Sequence, residues 1–258
     1  MIMSRLIKSK FAAITLFLFT LVFFEPSAFA KTKFVIGTED TKALPESEGD
    51  EDKYVAYFKD LLNDFAQSKD FEFEFKAYPN PRLLVSFLNG NIDFKCPDNR
   101  EWAVDKKGST KISYSDSLAE AVEGVLVQPK NLSRGLADFH TLGLRLGFTP
   151  VAFQELIHEG KVLVETNTLL SGLMMQAILG RIDGVYYNID SANVVLEKMG
   201  KPGKLVFNPR LPSLRVAYSI SSIKNEKVIA ELNQYMKTHK AKIAELKKKH
   251  RLFEVDSQ

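Results

Sequence analysis

Two groups of side chains in this 258-residue chain have the types and spacing to do chemistry. The first lies in "NIDFKCPDNREWAVDKK", where Asp98, Arg100, Glu101 and Trp102 crowd into one connection behind a short apolar run. A guanidinium such as that of Arg100 presents a fork of donors that matches a carboxylate two-pronged. Trp102, the single tryptophan, offers a flat apolar face. The second group is Glu39 and Asp40, which follow "KFVIGT" directly, together with Thr149, which precedes Pro150. A threonine cap before a proline in the first helical turn leaves backbone N–H groups and the positive dipole end facing an anion.

A plain reading stands beside each of these. Arg100 is either an anion contact or a surface arginine paired with Glu101; Trp102 lines a cleft or fills a core; Thr149 meets a ligand or only caps its helix; Glu39 and Asp40 face a ligand or water. Other chemistries find little support. His140, His158, His239 and His250 do not cluster with carboxylates at metal-ligand spacing, so no metal site is expected. The chain has no Gly-x-Ser-x-Gly elbow, phosphate-binding loop or dinucleotide fingerprint, and no cofactor is expected.

The elements that must position these groups are legible from periodicity. "KFVIGT" is an apolar strand, and in "YVAYFKDLLNDFAQS" Val55, Phe58, Leu61, Leu62 and Phe65 recur on one face of a 3.6-residue period. "FEFEFKAY" alternates apolar and polar residues as a half-buried strand does. "NPRLLVSFLNG" carries helix signals at both ends, with Asn80 placed to cap, Pro81 in the first turn and Gly90 at the stop. "NIDF" reads as the next strand. A second series of strands and helices runs from "LGLRLGF" through "TPVAFQELIHEG", "KVLVET" and "NTLLSGLMMQAILGR" to "IDGVYYN". A strand in "PRLPSLRVAYSIS" and a helical tail that breaks near Thr238 complete the chain. Strand and helix alternating in this way build parallel sheets with helices on their faces, and such sheets bind ligands outside the carboxyl ends of their strands.

The first thirty residues set the expected compartment. Arg5, Lys8 and Lys10 precede an apolar run from Phe11 to Phe24, and Ala28-Phe29-Ala30 forms a small-x-small cleavage site, which is the build of a secretory signal. Removing it takes three of the 35 basic residues and one of the 32 acidic ones, leaving 32 against 31. A nearly neutral mature chain lacks the footprint of a nucleic-acid binder. The lone Cys96 allows no internal disulfide. The expectation is an exported, periplasmic, monomeric protein that is not embedded in the membrane.

From about Phe34 to His250 the chain resembles the family 3 extracellular solute-binding proteins. The resemblance rests on "FVIGTED", "YVAYFKDLLNDFA", "RLLVSFLNGNIDF" and "GRIDGVYYNIDSANVVL". It implies the type II periplasmic binding-protein fold, an α/β architecture of two lobes joined by two hinge crossings, each lobe a mostly parallel sheet flanked by helices. Lobe one would take residues 31–124 plus 215–258 and lobe two residues 125–214, with "EGVLVQPK" and "SLRVAYS" as the crossing strands. A small polar solute, amino-acid-like or organic-acid-like, would bind between the lobes and close them, for an ABC-type permease or a membrane sensor. The resemblance also admits an exported dehydratase-like enzyme, or a lobe pair that has lost its ligand and acts as an interaction module.

Residue by residue, the resemblance carries over unevenly. Amino-acid-binding members often place a carboxylate-binding arginine near Arg100, but this chain has "CPDNREWAVDKK" in place of Thr-Pro-Glu-Arg, so Lys106 or Lys107 competes for the role. Thr149 falls at a helix start that the family uses for anions. At Asn188 amino-acid binders commonly carry an aspartate facing the ammonium; asparagine keeps an acceptor without the charge, and Asp190 compensates only if the chain bends to present it. The resemblance therefore implies a ligand with a weaker cation, an amide or hydroxyls.

Overall fold

The structure is a computed structural model that describes residues 31–40 and 52–252. The expected signal segment lies outside the described residues, as does most of the acid-rich stretch after the first strand.

The first series is β1 (Thr32–Glu39), α1 (Lys53–Gln67), β2 (Phe71–Tyr78), α2 (Asn80–Leu88) and β3 (Phe94–Asp98), followed by the short α3 (Val104–Lys107) and β4 (Ser113–Tyr114). The long strand β5 (Ala119–Val127) leads into a second series: β6 (Thr141–Arg145), α4 (Gln154–His158), β7 (Leu163–Asn167), α5 (Leu170–Ile178), β8 (Gly184–Asn188) and α6 (Ile189–Lys198). The chain returns through β9 (Val206–Phe207) and β10 (Leu214–Ser222) and ends in α7 (Glu226–Thr238) and α8 (Lys240–Lys249).

Strand order is β2-β1-β3-β10-β5-β8-β6-β7. On one side β1 pairs in parallel with β2 and β3; on the other β6 pairs in parallel with β7 and β8. The two antiparallel strands between them make the crossing. Residues 119–123 of β5 pair with β10, and residues 123–127 of the same strand pair with β8. In β10, Leu214–Tyr218 lies against β5 while Ser219 and Ser221 pair with β3. One connection leaves the first half of the sheet through β5, and the other re-enters it through β10.

Each half has its own apolar core. In the first, α1 buries the predicted face, Phe58, Leu61, Leu62 and Phe65, against Phe94, Ile220 and the α7 residues Ile229 and Leu232. In the second, α5 and α6 pack Leu173, Met174 and Leu196 on Val185, and Phe153 joins Leu142 and Tyr186 in a separate cluster. The parallel register of β2 on β1 runs without interruption from Thr32↔Phe71 to Glu39↔Tyr78. It brings Glu39 to the carboxyl edge of the sheet.

Three local expectations are corrected. Helix α2 begins at Asn80 with Pro79 as its cap and no side-chain cap bond, so Asn80 is not the cap. "NID" is a turn rather than a strand: the Asp93 carboxylate accepts the Val35 N–H at 2.8 Å, and β3 starts at Phe94. The helix expected from Pro150 is a 3-10 turn (Val151–Phe153) followed by the five-residue α4, because Pro150 sits at ψ 74°, outside the helical region.

Candidate functional site

The carboxyl ends of β1, β3, β6 and β8 and the start of α1 converge where the two halves of the sheet face one another. Glu39 ends β1 and Arg145 ends β6, and their side chains form an ion pair across the gap. Arg145 also donates to the Asp40 carbonyl and, through Nε, to the Thr168 carbonyl at 3.2 Å. The pair is largely removed from water, with side chains 9% and 15% exposed. Burial pushes the Glu39 carboxyl above the usual carboxylate range, and the opposing pull of Arg145 does not fully cancel it. Burial works against the guanidinium of Arg145, but Glu39, Tyr187 and Asp40 together outweigh it and raise its pKa.

Asp98 is buried at the end of β3 on the wall of the first cavity, and its carboxylate is held by neighbouring side chains. Its Oδ1 accepts from Lys95 at 2.8 Å and Lys107 at 3.0 Å, and its Oδ2 accepts from the Ser221 hydroxyl at 2.7 Å. Burial pushes this carboxyl up, but Lys95 and Lys107 together overcome it and hold it below the usual range. Arg100 is exposed and lies 4.5 Å above the Tyr114 ring, outside the residues that line the cleft. Of the two competing lysines, Lys106 is exposed and Lys107 is buried on the cleft wall.

Trp102 stands at the centre. Lys95 Nζ lies 5.3 Å from its ring centre, Tyr218 meets it edge-on at 5.7 Å, and Phe148 from the other half lies at 6.4 Å. Its indole Nε1 is buried without a hydrogen-bond partner among the described residues. Thr149 faces Trp102 across the gap, but as an acceptor rather than a cap: its Oγ1 takes the Ala103 N–H at 3.1 Å. Asn188 is buried and caps α6, accepting from Ser191 N at 3.0 Å and donating to the Tyr218 hydroxyl at 3.0 Å. Asp190 is half exposed and binds Lys53 Nζ at 3.0 Å and the Tyr54 hydroxyl at 3.2 Å from the opposite half. Asp40 gives its N–H to the Tyr78 carbonyl at 2.8 Å, and its charge acts on both Glu39 and Arg145.

Two adjoining cavities occupy the gap, about 490 and 420 Å³ including their solvent-facing mouths, and both are walled by Glu39, Pro97, Trp102 and Phe148. The first adds Lys95, Lys107, Asn80 and Thr149. The second adds Asp52, Tyr54, Tyr187, Asn188, Ser191 and Tyr218. Sequence reasoning missed Arg145, Lys95, Asp52, Phe148 and the three tyrosines. For Arg145 a signal existed, since a charged residue interrupts the apolar run "LGLRLGF". No group of three or more His, Cys, Asp or Glu side chains able to hold a metal occurs among the described residues.

Neither family models nor curated proteins match the chain. Solved structures do, at low identity. An ABC uptake transporter substrate binding protein from Streptococcus pneumoniae with bound histidine is 17% identical at a TM-score of 0.67, the match covering 88% of this chain and 95% of that one. An arginine 3rd transport system periplasmic binding protein from Legionella pneumophila is 17% identical at a TM-score of 0.63, covering 85% and 99%. The GluR0 ligand binding core in complex with L-glutamate is 12% identical at 0.66, covering 86% and 99%. The chain therefore has the two-lobed α/β fold of the substrate-binding proteins, with the Glu39–Arg145 pair and both cavities at the seam between its lobes.

Proposed function

We propose that the protein is an exported receptor for one small polar solute, amino-acid-like or organic-acid-like, which it binds between its lobes and passes to an ABC-type permease or a membrane sensor. The lobes would be residues 31–124 plus 215–258 and residues 125–214. The observation that carries this reading is the pair of adjoining cavities at the carboxyl edge of both sheet halves, where ligands of such sheets bind. Their walls combine aromatic faces with a few placed charges, the composition expected of a solute site. A ligand that touches both lobes favours their closed arrangement by differential affinity. Among the described residues no helix is long and apolar enough to cross a membrane. The signal segment read over residues 1–30 is what assigns the receptor to the periplasm, acting there as a monomer.

The anion contact in this reading is Lys107 with Trp102 Nε1. Lys107 donates to Asp98 and, at 2.6 Å, to the Asn99 carbonyl, which leaves one of three ammonium protons for a ligand. Enzymatic chemistry has weaker support, since Asp98 is tied to two lysines and Glu101 is exposed.

One observation favours a second reading. The Glu39–Arg145 pair joins the lobes through the protein's own side chains, as a module that closes without solute would do. Native mass spectrometry of protein released gently from the periplasm, followed by calorimetry with the molecule recovered, separates the two. A stoichiometric polar solute that rebinds supports the receptor. A clean apoprotein whose melting point no metabolite pool raises supports the module.

A further inference from the structure

The second cavity is walled by a continuous arc of rings. Tyr54 meets Tyr218 edge-on at 5.4 Å, Tyr218 meets Trp102 at 5.7 Å, Trp102 faces Phe148 at 6.4 Å, and Phe148 packs on Tyr187 at 5.2 Å. All five line one space, contributed by both lobes. Among the described residues, the charged ones on its wall are Glu39 and Asp52, both acidic, and no lysine or arginine lines it. Aromatic faces backed by negative charge attract cations through the ring quadrupole. The rings already act in this way at their outer edge, where Lys53 Nζ lies 5.4 Å from the Tyr54 ring centre and Lys95 Nζ 5.3 Å from that of Trp102.

What kind of cation fits depends on the acceptors. A primary ammonium leaving water needs partners for three N–H groups, and in this cavity four of the acceptor oxygens each already hold one donor. Asp52 Oδ1 takes the Tyr54 N–H and its Oδ2 the Ser191 hydroxyl. Asn188 Oδ1 takes Ser191 N, and Glu39 Oε1 takes Arg145. An ammonium whose N–H groups are all replaced by methyls asks for no acceptor and gains from the ring faces. In the neighbouring cavity, the unpartnered Trp102 Nε1 and the ammonium of Lys107 are donors suited to a carboxylate. Trp102, Phe148, Pro97 and Glu39 wall both cavities, so one small molecule can reach from one to the other.

Resting on the receptor reading above, we propose that the solute is a compact zwitterion of the betaine class, with a fully N-methylated ammonium inside the aromatic arc and a carboxylate against Lys107 and Trp102. Asn188, which stands where the resemblance implies an aspartate, fits this assignment, because a cation without N–H groups does not call for a hydrogen-bonding carboxylate there.

The test is calorimetric titration of the purified protein with trimethylglycine and its homologue 4-(trimethylammonio)butanoate, set against glycine and 4-aminobutanoate as the primary-ammonium parents and 3,3-dimethylbutanoate as the isostere of trimethylglycine that lacks the cationic charge. A full amino-acid panel runs in parallel. The expected result is that one trimethylammonium compound binds at least tenfold more tightly than its parent and its isostere. Tyr187→Leu is expected to weaken that binding more than tenfold and Tyr187→Phe, which keeps the ring, less than threefold, with melting curves establishing that both variants fold. A parent amine or an amino acid that binds as tightly as the methylated compounds overturns the inference and leaves the receptor standing, as does binding of the isostere with equal affinity. Silence from the betaines overturns it whatever else binds, and silence from both panels removes the receptor reading as well.

Discussion

Glu123 shows what one residue can dictate. It lies in β5 at the crossing between the two halves of the sheet and is wholly buried, with no positively charged partner for its carboxyl among the described residues. The hydroxyls of Tyr186 and Tyr218 are the polar groups beside it, and the charge that acts on it is a second carboxylate, Glu39. Burial therefore pushes its pKa up to about 8, and the group is held neutral at pH 7. In the unfolded chain it ionises near its ordinary value of 4.5. Between these two values the folded state holds a proton that the unfolded state has lost, so stability falls as pH rises through this window. Glu123→Gln keeps the shape and removes the titration. Melting temperatures measured from pH 5 to pH 9 are expected to decline less steeply for this variant than for the wild type, and parallel profiles would show that Glu123 is not neutral in the fold. Asp98 is the opposite case, a buried carboxylate that must stay charged. Asp98→Asn leaves two buried ammonium groups without their counterion and is expected to cost about 3–5 kcal/mol in denaturant unfolding. A loss under 1 kcal/mol would mean that Lys95 and Lys107 find other partners.

Among the elements, the helix starts decide how well the site is held. Asp52 caps α1 through the Tyr54 N–H at 2.8 Å and also receives the Ser191 hydroxyl from the other lobe. Asp52→Ala is expected to lower stability by about 1 kcal/mol through the lost cap, with a further loss from the lobe contact, both read by urea unfolding. Elements with strong periodicity were legible in the sequence. The face of α1 and the alternation of β2 follow from residue spacing alone, since burial on one side suffices to produce them. The turn at Asn91–Asp93 and the short α4 were not, because each depends on a contact or a backbone angle that no local pattern encodes. Site residues divided the same way. Glu39 and Asn188 line the cavities at strand ends, and Trp102 and Thr149 in the loops that follow β3 and β6, which sequence order reveals. Arg100 does not, because the loop after β3 turns its side chain onto Tyr114 and brings Lys107 inward. The tyrosines of the aromatic arc read as ordinary core residues until the two lobes are set face to face.

For the molecule as a whole, the receptor reading poses the question of what sets the balance between open and closed lobes. Several polar contacts cross the seam, and they are unequal. Lys53–Asp190 is partly solvated, with Asp190 54% exposed, and exposed pairs contribute about 0–1 kcal/mol. The Ala103 N–H to Thr149 bond is a neutral one, in the range of about 0.5–1.5 kcal/mol. Glu39–Arg145 is the charge pair at the seam that is removed from water, and taking away one partner of such a pair costs about 3–5 kcal/mol. At about 1.4 kcal/mol per factor of ten, that loss changes the ratio of closed to open molecules by roughly a hundredfold to a few thousandfold, enough to invert an equilibrium of a few kcal/mol. In Arg145→Gln the Glu39 carboxylate regains water only when the lobes part, so opening is the favoured escape. X-ray scattering from the unliganded variant is expected to give a larger radius of gyration than the wild type, and solute affinity is expected to fall by the fraction of molecules no longer closed. Scattering curves that superimpose, with affinity unchanged, would show that packing of Trp102 on Phe148 holds the lobes together and that the ion pair only follows.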